Sequence, residues 1–310
     1  MKRYLLILIL AGLLLSLNGL RIIEKDGRIR EFENSFFGTL PQEEISTERV
    51  REEGIRRDSW RGIRFDNWLR DNGLTDWTVI RFESDDRYQV SFEKVAFDTT
   101  SCWIMTGQND EIFESENYRV IFPNLSQNHW IRNISKVVLE DFRPAPRPKK
   151  IHSMELLLSR IDLVQDPAPF VGIWAYRFED ILRKLGAGRR SDVILISRDG
   201  FKLGLKYPDD LRGAVLEAGD EGINLKSPRI PGGMWVKDII YIQAGKQATF
   251  QGAELRKLID LNGLLSWNLG TRAKVKLYRT RGSQKLSFAD FIAKRSLSLE
   301  DRYFKLYPGN

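Results

Sequence analysis

The chain has 310 residues, which suits about two domains. A hydrophobic fraction of 42%, with eight Trp and seventeen Phe, excludes a disordered chain and supplies material for a globular core. The net charge of +7 comes from 49 basic and 42 acidic residues that are mixed along the chain, so we predict no nucleic-acid partner. One cysteine and two histidines exclude an internal disulfide and a multi-histidine metal site.

The chain begins with the pattern of an export signal. Lys2 and Arg3 precede an apolar run from Tyr4 to Leu17. This run has the length of a signal-peptide core and is shorter than the roughly 20 residues of a membrane-spanning helix. We therefore predict a signal peptide or an uncleaved anchor in residues 1–19, with the run as a membrane tether in the second case. Both alternatives place the body outside the cytoplasm, in the periplasm or at the cell envelope.

Residues 20–142 predict a first α+β domain. Its expected elements are, in chain order, a hairpin at 20–32 around Asp26-Gly27, an amphipathic helix at 65–72, strands at 77–82, 88–92, 101–106 and 118–122, and a closing strand at 131–139. The single cysteine, Cys102, falls in the strand at 101–106, beside Trp103. Its apolar surroundings favour a small buried side chain over a reactive thiol.

A proline-rich basic stretch at 143–150 is predicted to be an extended linker to a second domain at 151–245. The expected elements of that domain are helices at 154–161 and 178–185, strands at 193–196 and 201–205, and a closing strand at 234–242. Residues 246–310 are expected to form a C-terminal extension of helix and hairpin. The similarity of 275–288 to 79–92 leaves open a partial third repeat, and the tail at 288–307 is compatible with a surface helix.

The first and second domains repeat one another. Matched positions are Phe65 with Phe178, Ser84 with Ser197, and Trp130 with Trp235. A helix, a strand hairpin and a closing strand that return in the same order indicate a duplicated folding unit. The predicted fold class is therefore α+β, with two tandem domains that have largely β cores and short helices packed by one apolar face.

Several short segments of the first domain stand in a characteristic order. They are Trp60-Arg61-Gly62-Ile63 before the helix, Asp86-Arg87-Tyr88 at the turn, Thr106-Gly107-Gln108-Asn109, Tyr118-Arg119-Val120-Ile121-Phe122-Pro123, and Trp130-Ile131. This set resembles the molybdopterin-binding domain of sulfite-oxidase-type oxidoreductases. The resemblance covers residues 20–142, and it extends to 151–245 through the repeated helix, turn and closing strand.

The resemblance also marks what this chain lacks. The family binds molybdenum through a cysteine thiolate upstream of the Trp-x-Gly segment, and no cysteine precedes Trp60. The family commonly carries a phosphate-binding lysine before the closing tryptophan, where this chain has His129 in the first copy and Met234 in the second. Arg119 matches a family arginine. The resemblance thus implies a cleft inherited near Arg119, His129 and Trp130.

We therefore expect an exported, non-catalytic protein whose inherited cleft binds a small ligand or an envelope protein, with no catalytic residue, metal or cofactor. The alternative hypothesis is a molybdopterin-dependent oxidoreductase with atypical ligation, which holds the pterin through backbone and Arg119 or uses Cys102. A third interpretation is an envelope-associated module that binds acidic polymer or anionic lipid through residues 143–150.

Overall fold

The computed structural model describes residues 19–33, 35–51, 54–114, 118–219, 222–270, 272–298 and 300–308. The predicted signal or anchor, from Tyr4 to Leu17, lies outside the described residues. The chain divides into two compact units with the boundary between Phe142 and Arg143. Each unit combines sheets with short helices around a largely β core, which confirms the predicted α+β class. Among the described residues, no helix combines the length and the apolar character needed to span a membrane.

The first unit contains two sheets. Its strands are β1 Gly19–Ile23, β2 Ile29–Glu33, β3 Glu43–Arg51, β4 Gly54–Arg64, β5 Val79–Ser84, β6 Gln89–Glu93, β7 Trp103–Gln108, β8 Glu111–Ile112, β9 Arg119–Ile121, β10 Ile131–Arg132 and β11 Ile134–Glu140. Its α-helices are α1 Phe36–Thr39, α2 Phe65–Asp71 and α3 Lys94–Phe97. One sheet has the order β2-β1-β11-β5-β6, and the other has the order β10-β9-β7-β4-β3 with β8 against β7. The main core of this unit takes side chains from both sheets, among them Phe82 and Ile104.

The second unit also contains two sheets. Its strands are β12 Lys150–Ser153, β13 Leu163–Gln165, β14 Trp174–Arg177, β15 Ser191–Ser197, β16 Lys202–Tyr207, β17 Val215–Gly219, β18 Gly222–Lys226, β19 Ile239–Ala244, β20 Gln247–Phe250, β21 Lys274–Arg279, β22 Ser283–Ser287 and β23 Asp301–Tyr307. Its α-helices are α4 Met154–Leu158, α5 Phe178–Leu185, α6 Leu258–Leu264 and α7 Phe288–Ala293. The large sheet has the order β16-β15-β19-β20-β12-β23-β21-β22, and the small one has the order β13-β14-β17-β18.

The repeated helix forms as predicted in both units. Helix α5 buries Phe178, Ile181, Leu182 and Leu185, whose spacing places them on one face. Gly186 ends this helix in the left-handed conformation with φ of 68°, a conformation that glycine adopts without steric cost. Helix α2 buries Leu69 in the same way and is followed by a left-handed glycine at the matching position.

Both units also share one arrangement of turn and closing strand. Ser84 pairs with Ile134 and Ser197 with Ile239, each beside a register shift. The amide of the next residue donates to the carbonyl of a left-handed residue that precedes the closing strand. These bonds join Asp85 N to Asn133 O at 3.1 Å and Arg198 N to Asp238 O at 2.9 Å. The two segments therefore have the same local geometry as well as similar sequences.

The C-terminal third differs from its sequence-based description. We expected 246–310 to be an extension, but β20 lies between β19 and β12 in the large sheet, and β21 to β23 complete that sheet. The prediction of a helix-compatible tail at 288–307 is correct for α7 and wrong for β23, which pairs with both β12 and β21. The expected linker residues lie against the second unit, where Lys149 N donates to Lys246 O at 2.7 Å.

Candidate functional site

A second apolar cluster lies on the outer face of the sheet β10-β9-β7-β4-β3. Alternate residues of this sheet, such as Ile104 and Val120, point into the main core. The residues between them form a separate cluster. Its buried members are Trp60, Trp103, Met105 and Ile121, with Ile45, Phe113 and Trp130 packed against them. This sheet therefore has two apolar faces, and the outer one carries the candidate site.

A close contact between β4 and β7 shapes this face. The pairing of the two strands shifts register between Arg61 and Gly62. A Cβ atom on Gly62 would lie 2.2 Å from the carbonyl oxygen of Ile104, a distance that no side chain tolerates. The glycine of the Trp-x-Gly motif is therefore required by the bulge. Trp60, two residues earlier, is 2% exposed and donates its Nε1–H to Thr47 Oγ1 at 2.9 Å.

Arg119 lies among the aromatic rings of this cluster. Its guanidinium carbon is 4.6 Å from the centre of the Phe113 ring and 5.9 Å from that of Trp60. Its Nη1 donates to Gln108 Oε1 at 3.0 Å, and Gln108 Nε2 donates in turn to the buried Asp58 at 2.9 Å. Within the described residues, the guanidinium forms no ion pair of its own. The side chains that this half-buried cation contacts directly are thus neutral or aromatic.

A second arginine lies directly opposite Arg119 on the neighbouring strand. Arg132 on β10 is the register partner of Arg119 on β9. Burial lowers the pKa of Arg119, and the charge of Arg132 lowers this pKa further, with Glu111 acting in the opposite direction. Like charges at directly opposed positions destabilise a sheet. The pair therefore creates a local positive potential that an anion would relieve.

The three predicted site residues do not all converge. Trp130 packs edge-to-face on Trp60 at 5.7 Å, and its Nε1 donates to Phe122 O at 3.0 Å. Arg119 meets the same Trp60 ring. The contacts of His129 are with Phe92 of the main core, at 5.8 Å between ring centres, and with Ser126. The structure therefore joins Arg119 and Trp130 through Trp60, and it places His129 against a different set of side chains.

Cys102 lies in the interior of the first unit, as the sequence predicted. It is fully buried, and burial raises the pKa of its thiol well above the usual value, with Asp66 adding to the effect. Its backbone joins α2 to β7, because Phe65 N donates to Cys102 O at 2.8 Å. A soft-metal site needs an accessible thiolate. The residues present therefore do not fit a thiolate-bound molybdenum, and the described part of the chain contains no group of three or more His, Cys, Asp or Glu side chains placed to hold a metal ion.

The second unit has an open cavity of about 270 Å³. Its apolar lining comes from β15, β19 and α6, and Arg198, Asp199, Lys257 and Asp260 are its charged residues. These charges are internally compensated. Arg198 pairs with Asp238 at 2.6 Å and with Glu254, while Lys257 lies 3.4 Å from Asp260. The cavity therefore lacks the uncompensated charge that marks the cluster of the first unit.

Sequence reasoning missed Arg132, Gln108 and Phe113. Arg132 directly follows the Trp130-Ile131 segment, but its relation to Arg119 depends on the pairing of β9 with β10. Gln108 was noted as part of a motif without a role. The pairing of the strands in this sheet brings Gln108 and Arg132 to Arg119, and the segment after β8 brings Phe113 there, and neither can be read from residue type alone.

Comparison with known proteins gives only weak structural likeness. No family model matches the chain, and no curated protein matches it. Among solved structures, the sulfane dehydrogenase SoxCD from Paracoccus pantotrophus is similar, with 11% sequence identity and a TM-score of 0.34. The alignment covers 94% of this chain and 64% of that chain, so this chain spans less than two thirds of its length. At this level of similarity, the comparison assigns neither a family nor a function.

Proposed function

We propose that this chain is an exported, non-catalytic protein with two sulfite-oxidase-like units, and that the first unit binds an anionic ligand at Arg119 and Arg132. The observation that carries the proposal is the opposed arginine pair, whose half-buried member forms a side-chain hydrogen bond to Gln108, lies over aromatic rings and forms no ion pair within the described residues. A carboxylate, sulfate or phosphate group would satisfy both guanidinium groups through charge-assisted hydrogen bonds. Trp130, which is partly exposed and packs on the buried Trp60, would lie beside the bound group.

The proposal of a binding role rests on the chemistry of the same unit. The one thiol of the chain is buried in the interior and its pKa is raised, so it is poorly suited to be a metal ligand or a nucleophile. The positions where the family would carry its thiolate and its phosphate-binding lysine hold neither residue. The proposal of two related units is supported by the matched turn, helix and closing strand of each.

Titration with inorganic sulfate and phosphate would test the binding site. We expect calorimetry to detect binding to the wild-type chain, and Arg119→Gln to weaken it about tenfold or more, because a hydrogen bond to a charged group contributes roughly 1.5–3 kcal/mol. Arg189→Gln, at an exposed position of the second unit, is the matched control and should bind as the wild type does. Equal binding by wild type and Arg119→Gln, or no binding by the wild type, would contradict the proposal.

The oxidoreductase alternative needs a separate measurement. The wild-type chain would be isolated from a host that makes molybdenum cofactor, and its molybdenum and pterin contents would be determined. We expect neither in stoichiometric amount. Stoichiometric cofactor, lost in Arg119→Gln, would replace the non-catalytic proposal with atypical cofactor binding at the same cluster.

A further inference from the structure

The large sheet of the second unit has one strongly basic face. Strands β12, β23, β21 and β22 are neighbours, and their alternate residues Ile151, Phe304, Val275 and Leu277 point into the core. The intervening residues point outward. These are Lys150 and His152 on β12, Tyr303, Lys305 and Tyr307 on β23, Lys274, Lys276 and Tyr278 on β21, and Ser283, Lys285 and Ser287 on β22. We call this set the lysine face.

The lysines of this face stand in a row across the strands. Lys276 on β21 is the register partner of both Lys305 on β23 and Lys285 on β22. On β12, His152 is the register partner of Tyr303, and Lys150, two residues before His152, continues the row. Neighbouring strands are about 4.8 Å apart, so the side chains of opposed lysines begin close together. The fold therefore places like charges where they repel one another.

No carboxylate of the described residues pairs with the lysines of this face. Within the described residues, Lys150, Lys274, Lys276, Lys285 and Lys305 form no ion pair. The four strands contain one acidic residue, Asp301, which is buried and binds Arg279 at 3.0 Å. A lysine on an edge strand, such as Lys285 on β22, discourages edge-to-edge pairing of sheets. That role does not explain Lys276 and Lys305, which lie on interior strands.

Tyrosine rings hold the ammonium groups in place. Tyr278 and Tyr303 stack with their ring centres 4.5 Å apart and an interplanar angle of 17°. Lys276 Nζ is 4.8 Å and Lys305 Nζ is 5.4 Å from the centre of the Tyr278 ring, while Lys150 Nζ is 5.2 Å from that of Tyr303. The lysines also lower the pKa of the Tyr278 phenol, chiefly through a hydrogen bond from Lys276. The positive charges are thus positioned as a group.

We propose that the lysine face binds the surface of a membrane that contains anionic lipids. The charge of the face is complementary to phosphate headgroups, and lysines near such a surface attract it over about one Debye length. Single-stranded nucleic acid is the less suitable partner, because it needs open aromatic platforms and these rings already face one another and the lysines. Tyr307, at the margin of the face and 44% exposed, suits the polar boundary of a bilayer.

The predicted N-terminal segment adds a second reason to choose a membrane. An apolar run from Tyr4 to Leu17, if retained, would tether the chain, and stable attachment generally combines a hydrophobic anchor with a basic patch. The face involves residues of the second unit only, so the inference is independent of the anion site proposed for Arg119. It also differs from binding through residues 143–150, with which it shares Lys150 alone.

Sedimentation of the full chain with lipid vesicles would test the inference. The triple variant Lys276→Gln/Lys285→Gln/Lys305→Gln is compared with Lys184→Gln/Lys237→Gln/Lys294→Gln, whose lysines are exposed on other parts of the unit. Both variants lower the net charge equally. Each lysine near an anionic surface contributes about fivefold to partitioning, so the first variant should bind phosphatidylglycerol-containing vesicles roughly a hundredfold more weakly. The second variant should bind as the wild type does.

Further measurements make the outcome decisive. Binding of the wild type should fall with added salt and be much weaker on phosphatidylcholine alone, which separates the charge effect from insertion of the apolar segment. Lys276→Arg/Lys285→Arg/Lys305→Arg should retain binding, and circular dichroism should show that all variants fold. The inference is overturned if the first variant binds like the wild type, if both glutamine variants lose binding equally, or if the wild type binds polyuridylate and ignores the anionic vesicles.

Discussion

The two units share a local scaffold and differ in what it carries. Trp130 and Trp235 each donate an indole hydrogen bond to the carbonyl eight residues earlier, at 3.0 and 3.1 Å. Arg119 precedes Trp130 by the same number of residues as Asn224 precedes Trp235, so the two positions correspond. The side chain of Asn224 accepts a hydrogen bond from Asp238 N at 2.8 Å. Arg132 corresponds to Lys237. Because the second unit forms the same local arrangement without the arginine pair, the scaffold does not require that pair.

The second unit differs in the way it extends its sheet. Its closing strand β19 is followed by β20, which pairs antiparallel with β19 and parallel with β12. In the first unit, β11 pairs directly with β1 in a parallel arrangement. The additional strand connects the repeated part to β23, β21 and β22, which carry the lysine face. Each unit thus has a basic feature that its counterpart lacks, on a different part of the fold.

The largest effect on this comparison should come from the repeated helix. Leu69 and Leu182 are 2% and 3% exposed at matching positions. Leu69→Ala and Leu182→Ala should each lower the free energy of unfolding by about 2–5 kcal/mol, because each leaves a cavity in a core. Urea unfolding of the full chain would measure both effects.

Two controls sharpen this test. Lys184→Ala, on an exposed position of the same helix as Leu182, should change stability by less than about 0.5 kcal/mol. Alkylation of the buried Cys102 reports on opening of the first unit, and Leu69→Ala should accelerate it. A negligible effect of either leucine substitution would show that the two helices do not support their units in the same way.

A smaller effect should separate the units at the Trp-x-Gly motif. Gly62 lies at the register shift between β4 and β7, whereas Ala175 occupies the corresponding position in the second unit, where the pairing of β14 with β17 shows no shift. Gly62→Ala should therefore cost about 1–3 kcal/mol through overpacking, and the measured quantity is again the free energy of unfolding. Ala175→Gly, the reverse change, should cost about 0.5–1 kcal/mol. An unaffected Gly62→Ala variant would refute the need for glycine at the bulge.

Local patterns predicted the repeated elements well. The hairpin around Asp26-Gly27, the helix Phe178–Leu185 and the strands that follow it are confirmed, because alternation, helical spacing and turn residues lie within a few positions of one another. The long hairpin of β3 and β4 was not predicted. Its residues from 48 to 51 and from 54 to 57 are mainly charged and show no apolar alternation, so cross-strand pairing decides their conformation.

The functional surfaces depend on information that a single sequence does not contain. Strand β23 alternates as Asp-Arg-Tyr-Phe-Lys-Leu-Tyr, and a correct strand prediction there was within reach. Its position between β12 and β21 was not, because those strands are distant in sequence. The row of lysines and the opposed arginines both arise from such pairings. Residue type alone could mark Arg119 as a candidate, but its partner Arg132 emerges only from register.

The smallest expected change in stability concerns the matched tryptophans, Trp130 and Trp235. It tests whether Trp130 stabilises the fold or contributes to ligand binding. Trp130→Phe and Trp235→Phe each remove the indole donor while keeping a ring for the edge-to-face contacts with Trp60 and Phe170. If both serve the fold, each should cost about 0.5–1.5 kcal/mol in urea unfolding, the usual contribution of one hydrogen bond. Trp174→Phe, at a position 52% exposed, is the matched control and should be nearly neutral. A different outcome is that Trp130→Phe leaves stability unchanged and weakens sulfate binding, while Trp235→Phe lowers stability. That result would show that the tryptophan of the first unit serves the ligand. The two units would then differ in function as well as in sequence.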